Sequence, residues 1–481
     1  MQVSVLKELR PNEARVAASP VSIKKMVQKG HVVVVEQGAG LGAAITDAAF
    51  EEAGARIARS AKDTVKGADV VLKVQRPTRA ESKGLPKGAL LISHLDPYRG
   101  GEEVSALAAA GVTAFAMELV PRITRAQSMD VLSSQANLAG YKAVIEAAAE
   151  YGRAFPMMMT AAGKVSPANV LIMGAGVAGL QAIATARRLG AVVHATDVRP
   201  AAKEQVESLG GKFVAVEDEE FKQAETAGGY AKQMSAEYQK KQAALIAETL
   251  PKMDLVITTA LIPGRPAPRL ISAEMVASMK PGSVIVDLAV ETGGNCALSV
   301  ADQVVEINGV KIVGYSNMAS RLAAATSSLY ANNLLNFLDL LTDKDSAALA
   351  IDWNDEIVAA ALVAKDGALV NEAVAKAVKE MAAARPAAKA KAAPKAKTAT
   401  TKTAGKKAAS NKPSGKKAAR LPGGAKGKAA AKPAAGEKTQ ADKAAAEKNL
   451  TDTTVSEAAG RTKVPSPAAQ ATGEEGKKNG S

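Results

Sequence analysis

Gly174-Ala-Gly176-Val-Ala-Gly179, with Asp197 placed 18 residues beyond, is a spacing that could hold a dinucleotide. The chemistry is that of backbone and charge. Gly174 permits a tight turn, Gly176 lets backbone approach a pyrophosphate, and Gly179 lets helix and strand pack closely. The N-terminus of the following helix, beginning at Val177, offers unpaired N–H groups and a positive dipole end to phosphate. Asp197, followed by Val198 and Arg199, can hold the hydroxyls of a ribose and would repel a 2′-phosphate. That favours NAD over NADP, with Arg199 working in the opposite direction. The flanks have the required order. Val170–Met173 reads as a buried parallel strand, the run to Leu189 as an Ala-rich helix, and 191–195 as a second strand.

A second stretch packs polar chemistry into a few residues: Arg122-Ile-Thr-Arg125-Ala-Gln127-Ser128-Met129-Asp130-Val-Leu-Ser133-Ser-Gln135. It follows a strand and a proline, where parallel sheets place binding loops. The same residues also spell a capped helix start, with Asp130 or Ser128 as N-cap. Both readings stand on the residues alone.

The elements that must position these residues alternate strand and helix. Strands are predicted at 3–6, 31–36, 70–74, 89–93 and 112–117, then at 170–173, 191–195, 212–216, 254–258, 283–288 and 310–313. That rhythm predicts an α/β fold of two Rossmann-like, doubly wound parallel-sheet domains. The expected division is 1–130 with 316–380 for a discontinuous first domain and 131–315 for the second. Long helices are expected at 131–151 and 320–341. Gly38, Gly40 and Gly42 lack the third spacing of a dinucleotide loop and read as a closely packed turn. The long connection from Val216 to Leu255 carries Gly228-Gly229-Tyr230, which suggests a mobile surface loop.

Charge divides the chain again. Residues 386–481 hold 21 Lys+Arg and 7 Asp+Glu, a surplus of 14 that equals the whole net charge of +14. This tail lacks Phe, Trp, Tyr, Ile and Met. It cannot bury enough apolar area to offset its ordering entropy, and disorder is expected over 386–481. Without aromatic side chains for stacking, any nucleic-acid binding there would be nonspecific, and a solvated extension is the preferred reading. The single cysteine, Cys296, excludes an internal disulfide and suits a reducing compartment. No signal peptide is visible, and no run approaches the ~20 apolar residues of a membrane helix. Nothing suggests a metal site.

The stretch Arg122–Tyr141 resembles the signature of the NAD(H)-binding component of proton-translocating NAD(P) transhydrogenases, in the alanine dehydrogenase/pyridine nucleotide transhydrogenase family. So do Lys7-Glu-Leu-Arg-Pro-Asn-Glu-Ala-Arg, the glycine turn, Ala224-Glu-Thr-Ala-Gly-Gly-Tyr-Ala, Thr258-Thr-Ala-Leu-Ile-Pro-Gly and Pro281-Gly-Ser-Val-Ile-Val-Asp. The resemblance covers roughly residues 1 to 345. It implies that Arg122, Gln127, Asp130 and Ser133 line the nicotinamide end, where Gln127 reaches toward the partner's nucleotide. It further implies cofactor contacts at Ser128, Met129, Gly174, Gly176, Val177, Gly179, Asp197, Val198, Arg199, Gly229, Tyr230, Gln242 and Leu261. The cofactor would be NAD(H), with NADP(H) on a partner subunit. The implied partners are membrane-spanning transhydrogenase subunits (the second, membrane piece of a divided alpha, and beta) and a second copy of the chain in a homodimer. The expected location is cytoplasmic, peripheral on the inner membrane.

Alanine dehydrogenase is the nearest rival within that resemblance. Arg15 and Lys73 match its pyruvate-binding pair. Its proton-handling histidine does not match: the position falls on Asp96, with His94 out of register, and its acid in the Asp-Gln-Gly-Gly stretch is Glu291 here. Oxidising an amino acid needs an acid/base near neutral pKa. Passing hydride between two nicotinamides needs only positioning. The missing histidine argues for transhydrogenation.

Overall fold

Two runs of short, fully buried apolar strands build two sheets, because each strand is covered on both faces by helices. A computed structural model describes residues 1–224, 234–262, 264–343 and 345–384; the basic tail, Gly229 and Tyr230 lie outside the described residues. The first sheet has the order Ala368–Leu369, Leu362–Lys365, Thr113–Ala116, Leu90–Ser93, Val70–Leu72, Gln2–Val5, Val32–Glu36, Arg56–Ala58. The second has the order Lys212–Phe213, Val192–Thr196, Asn169–Met173, Leu255–Thr258, Val284–Asp287, Val310–Val313, Val304–Ile307. In each, the strand order reverses beside the first strand of the unit. In the second lobe that point lies between Asn169–Met173 and Leu255–Thr258, which pair in parallel from Val170↔Leu255 to Met173↔Thr258.

The sheets are not wholly parallel, which corrects the sequence reading. Val304–Ile307 runs antiparallel to Val310–Val313, and Leu362–Lys365 runs antiparallel to both Thr113–Ala116 and Ala368–Leu369. Each added hairpin turns on an Asx-Gly pair with both residues at positive φ, Asn308-Gly309 and Asp366-Gly367. That is the geometry of a two-residue type I′ turn, whose twist matches its strands. A third hairpin, Met158–Thr160 with Gly163–Val165, pairs with neither large sheet. The strand expected at 212–216 is only two residues long. Val216 instead gives its N–H to Gln242 Oε1 (3.0 Å).

Two segments connect the lobes, and both change core along their length. Val131–Glu150 buries Val131 in the first core and Ala143, Val144 and Ala147 in the second. On the return, Met318 packs in the second core, while Ala323 and Tyr330 of helix Ala323–Leu340 pack in the first. The first crossover lies tight against the second lobe: a Cβ at Gly140 would sit 2.0 Å from the Ala178 carbonyl oxygen. No helix among the described residues is long and apolar enough to cross a membrane.

Candidate nucleotide site

The glycine turn follows the first strand of the second sheet, at the point where strand order reverses and open α/β sheets form a ligand crevice. Gly174 has φ +105°, a conformation that side chains disfavour. A Cβ at Gly179 would lie 1.8 Å from the Gly174 carbonyl oxygen, so this glycine is required by packing. Thr259 Oγ1, on the neighbouring strand end, donates to that same oxygen (2.9 Å) and braces the turn. Gly176 is different. A Cβ there would meet nothing within 4 Å. It is the N-cap of Val177–Arg188 and supplies no side-chain cap. The first-turn N–H groups therefore face open space with the positive dipole end, a ready anion site.

Asp197 stands one residue past the end of the adjacent strand, Val192–Thr196. Its Oδ2 accepts from the Ala175 N–H (2.8 Å), which ties it to the glycine turn. Arg199 folds back onto it, Nε to Oδ1 at 2.9 Å and Nη2 to Oδ2 at 3.0 Å. The acid that should reject a 2′-phosphate is thus half neutralised by its own neighbour. Val198 packs toward the small cluster of Phe221 and Tyr238. Gln242 spends both ends of its amide inside the lobe, donating to Thr196 Oγ1 (2.9 Å) and accepting from Val216. Leu261 is exposed beyond the end of strand Leu255–Thr258.

In the 122–135 segment the capped helix start is what the geometry displays. Asp130 caps Val131–Glu150: Oδ1 accepts from the Ser133 N–H (2.8 Å) and Oδ2 from the Ser133 hydroxyl (2.5 Å). The preceding turn, Thr124–Met129, is pinned from below. Met129 is buried in the first core, and the Ser128 carbonyl accepts from Asn333 Nδ2 (2.7 Å) and Asn336 Nδ2 (3.1 Å). Arg125 is drawn away to Asp355 (2.7 Å). Arg122, Gln127 and Ser128 are exposed, and the Gln127 side chain makes no hydrogen bond among the described residues.

The switch point of the first sheet carries charge where the second carries glycine. Lys73, 1% exposed, reaches Glu81 (2.9 Å) and Glu8 (3.4 Å). Burial pushes the Glu8 carboxyl up to about 7, against the pull of Lys73. Arg15 is enclosed by Glu13 (2.6 Å), Gln135 (2.7 Å) and Asn317 (3.1 Å). Burial alone would raise the Glu13 carboxyl, but the hydrogen bonds from Arg15 outweigh it and hold it near about 2. His94 turns inward to Glu118 (3.4 Å) and stacks on Tyr330. Asp96, at φ +43°, lines a cavity of about 260 Å³ with Arg10, Gln75, Arg76, Arg99 and Glu291.

Comparison with known proteins agrees with this architecture. The N-terminal domain described as alanine dehydrogenase/PNT matches residues 4–139, and the C-terminal domain of that description matches 143–372. The chain belongs to the alanine dehydrogenase/PNT family. The first of the two pieces of a divided NAD(P) transhydrogenase subunit alpha, from Rhodospirillum rubrum, is 59% identical over 379 residues, covering 78% of this chain and 99% of that protein. A crystal structure of a transhydrogenase from Sinorhizobium meliloti is 59% identical, covers 77% of this chain and 100% of that one, and superimposes with a TM-score of 0.71. An alanine dehydrogenase of Mycolicibacterium smegmatis is 30% identical over 78% of this chain and 96% of its own. Within the family fold, Thr259, Glu13 and Asn317 escaped the sequence reading. Thr259 was signalled by its place one residue past a strand at the switch point. Asn317, at φ +50°, was signalled only by asparagine's tolerance of that conformation.

Proposed function

We propose that this chain is the NAD(H)-binding component of a proton-translocating NAD(P) transhydrogenase. The observation that carries the reading is the uncapped N-terminus of Val177–Arg188, open at Gly176 and flanked by Asp197. These residues fit a dinucleotide: backbone N–H groups for the pyrophosphate, a carboxylate for the ribose. Gly174 and Gly179 shape the turn, and Val177, Val198, Arg199 and Leu261 border it. Bound there, NADH supplies a hydride from its nicotinamide to NADP⁺ on the partner subunit, becoming NAD⁺ as NADP⁺ becomes NADPH.

The chain's role in this is positioning. Asp130 and Ser133 begin a helix that reaches Ala178 at Gly140, ten residues or about 15 Å further on. That helix sets the 122–133 segment apart from the glycine turn by a distance on the scale of a nicotinamide nucleotide. Gln127, exposed and without a partner among the described residues, is available to meet the partner's ring, with Arg122 and Ser128 beside it. Asp96, held by Arg99 (2.9 Å), is poorly suited to the acid/base work of amino-acid oxidation. The relatives' name supports membrane subunits, the second piece of alpha and beta, as partners, a homodimer as the assembly, and the cytoplasmic membrane face as the location.

The test mixes the purified chain with NADH and NADP⁺ in the presence and absence of the NADP-binding partner. NADPH formation that requires both proteins is expected. Alanine dehydrogenase is the second reading, favoured by Arg15, Lys73 and the cavity at Asp96. Alanine-dependent NADH formation by the chain alone would establish it instead.

A further inference from the structure

Arg15 and Glu13 lie in the first lobe, yet their polar contacts reach both crossovers at the places where those segments change core. Gln135, on the first crossover, lies between Val131 of the first core and Ala143 of the second. It accepts from Arg15 Nη1 (2.7 Å). Asn317, on the return crossover, lies beside Met318 of the second core and before Ala323 of the first. It accepts from Arg15 Nη2 at Oδ1 (3.1 Å) and donates to Glu13 Oε2 from Nδ2 (2.9 Å). Its own N–H donates to Glu291 Oε1 (2.7 Å), on the turn after strand Val284–Asp287 of the second sheet. The side chains of Arg15 and Glu13 are 4% and 0% exposed. The result is a chain of buried, charge-assisted hydrogen bonds from one lobe to the other, through the joint itself.

We propose that Glu13, Arg15 and Asn317 form a clasp that fixes the spacing of the two lobes, and that they are positioning residues for hydride transfer. The inference rests on the reading of the cleft given above, because the segment holding Gln127 belongs to the first lobe and the glycine turn to the second. A guanidinium suits this work: its planar fork serves Glu13, Gln135 and Asn317 at once, which a lysine ammonium cannot do in one plane. The same contacts occupy the donors that a substrate carboxylate would need from Arg15, so the residue that matches an oxo-acid ligand is committed to architecture instead.

Asn317→Gly is the decisive variant. Glycine adopts φ +50° without strain, so the backbone is preserved while both side-chain contacts are lost. Gln135→Met removes the acceptor at similar volume, and Gln135→Glu restores it. Pulsed electron–electron distance measurement between spin labels on Lys66→Cys and Lys212→Cys, one on each lobe, reports the spacing without any nucleotide. We expect Asn317→Gly and Gln135→Met to broaden that distance distribution and to slow partner-dependent hydride transfer by about tenfold or more. NADH affinity should stay within about twofold, since its contacts lie within the second lobe, and Gln135→Glu should recover both the distance and the rate. An unchanged distribution in Asn317→Gly overturns the clasp. A broadened distribution with an unchanged transfer rate overturns its positioning role. If the unaltered chain transfers no hydride with its partner, the functional reading fails, while the distances still decide the clasp. Should Gln135→Met not fold, Asn317→Gly carries the test alone.

Discussion

Gly176→Ala and Gly179→Ala each add one methyl group, three residues apart, and the structure predicts failures of different kinds. At 179 the new Cβ would stand 1.8 Å from the Gly174 carbonyl oxygen, which Thr259 Oγ1 holds from the other side. Neither partner is a flexible side-chain end, so helix and turn must separate by roughly 1.5 Å, an overpacking that costs about 1–3 kcal/mol. For a chain of this size each kcal/mol lowers the melting temperature by about 2–4 °C. At 176 the backbone angles, φ −76° and ψ −167°, accept alanine, and nothing lies within 4 Å of the methyl. Its cost to stability is at most the ~1 kcal/mol lost when alanine replaces a better N-cap. That methyl projects into the space where phosphate would approach the helix N-terminus. A tenfold or larger loss of NADH affinity, about 1.4 kcal/mol, is therefore expected in a chain that still melts near the native temperature. Thermal denaturation and fluorescence titration with NADH read the two effects separately. Native NADH affinity in Gly176→Ala would refute the assignment of this helix end to the pyrophosphate.

Gln127→Asn shortens an exposed side chain that makes no hydrogen bond among the described residues, so NADH binding should hold within about threefold while single-turnover hydride transfer slows. Near-native turnover would remove Gln127 from the reacting centre. Arg199→Ala frees Asp197 from its ion pair (2.9 Å); discrimination against NADPH, measured as a ratio of dissociation constants, should then sharpen, and a relaxed ratio would show that Arg199 does not offset the acid. Glu8 gives a pH prediction. Its folded value of about 7, raised by burial against an ordinary 4.5, means that the folded chain holds a proton the unfolded chain has released. Stability should fall as pH rises from about 4.5 to about 7, by roughly 3 kcal/mol at 1.36 kcal/mol per unit. Urea unfolding of Glu8→Gln should lose that slope, and an unchanged slope would place its origin elsewhere. Glu13 has the opposite sign: its contribution is present above 4.5 and is lost as pH falls toward about 2.

Local signals carried most of the second lobe. The strands at 170–173, 254–258 and 310–313 are apolar runs bounded by turn residues, and the roles assigned to Gly174 and Gly179 follow from where a Cβ would collide. Val304–Ile307 and Leu362–Lys365 were missed although Asn308-Gly309 and Asp366-Gly367 are strong hairpin signals. The alternating burial of Val304–Ile307 is that of an edge strand, which a search for buried parallel runs passes over. Gln242 and Met129 show the other limit. Sequence places them near the cofactor, but only tertiary contacts reveal that the amide of one is spent on Thr196 and Val216, and that the other faces the first core. Arg15 and Asn317 are 302 residues apart, and no window along the chain could pair them.

The two lobes share one strand order, with a switch point in each, so the fold offers two crevices of the kind where α/β sheets bind ligands. They differ in what the chain puts there. At the second, glycines keep backbone N–H groups bare and leave space at Gly176. At the first, Glu8, Lys73 and Glu81 converge within 3.4 Å of one another's charged atoms through the lysine, and Arg15 is enclosed by Glu13. Buried charge of this kind is costly unless every partner is present, so an incoming carboxylate at Arg15 must displace contacts that already satisfy it. An amino-acid dehydrogenase has to keep such donors available for its substrate. A chain whose second substrate arrives on another protein does not, and it can spend them on holding its own lobes in place. On that reasoning Glu13→Gln, which weakens the ion pair while keeping its hydrogen-bonding shape, should loosen the joint without creating an alanine dehydrogenase.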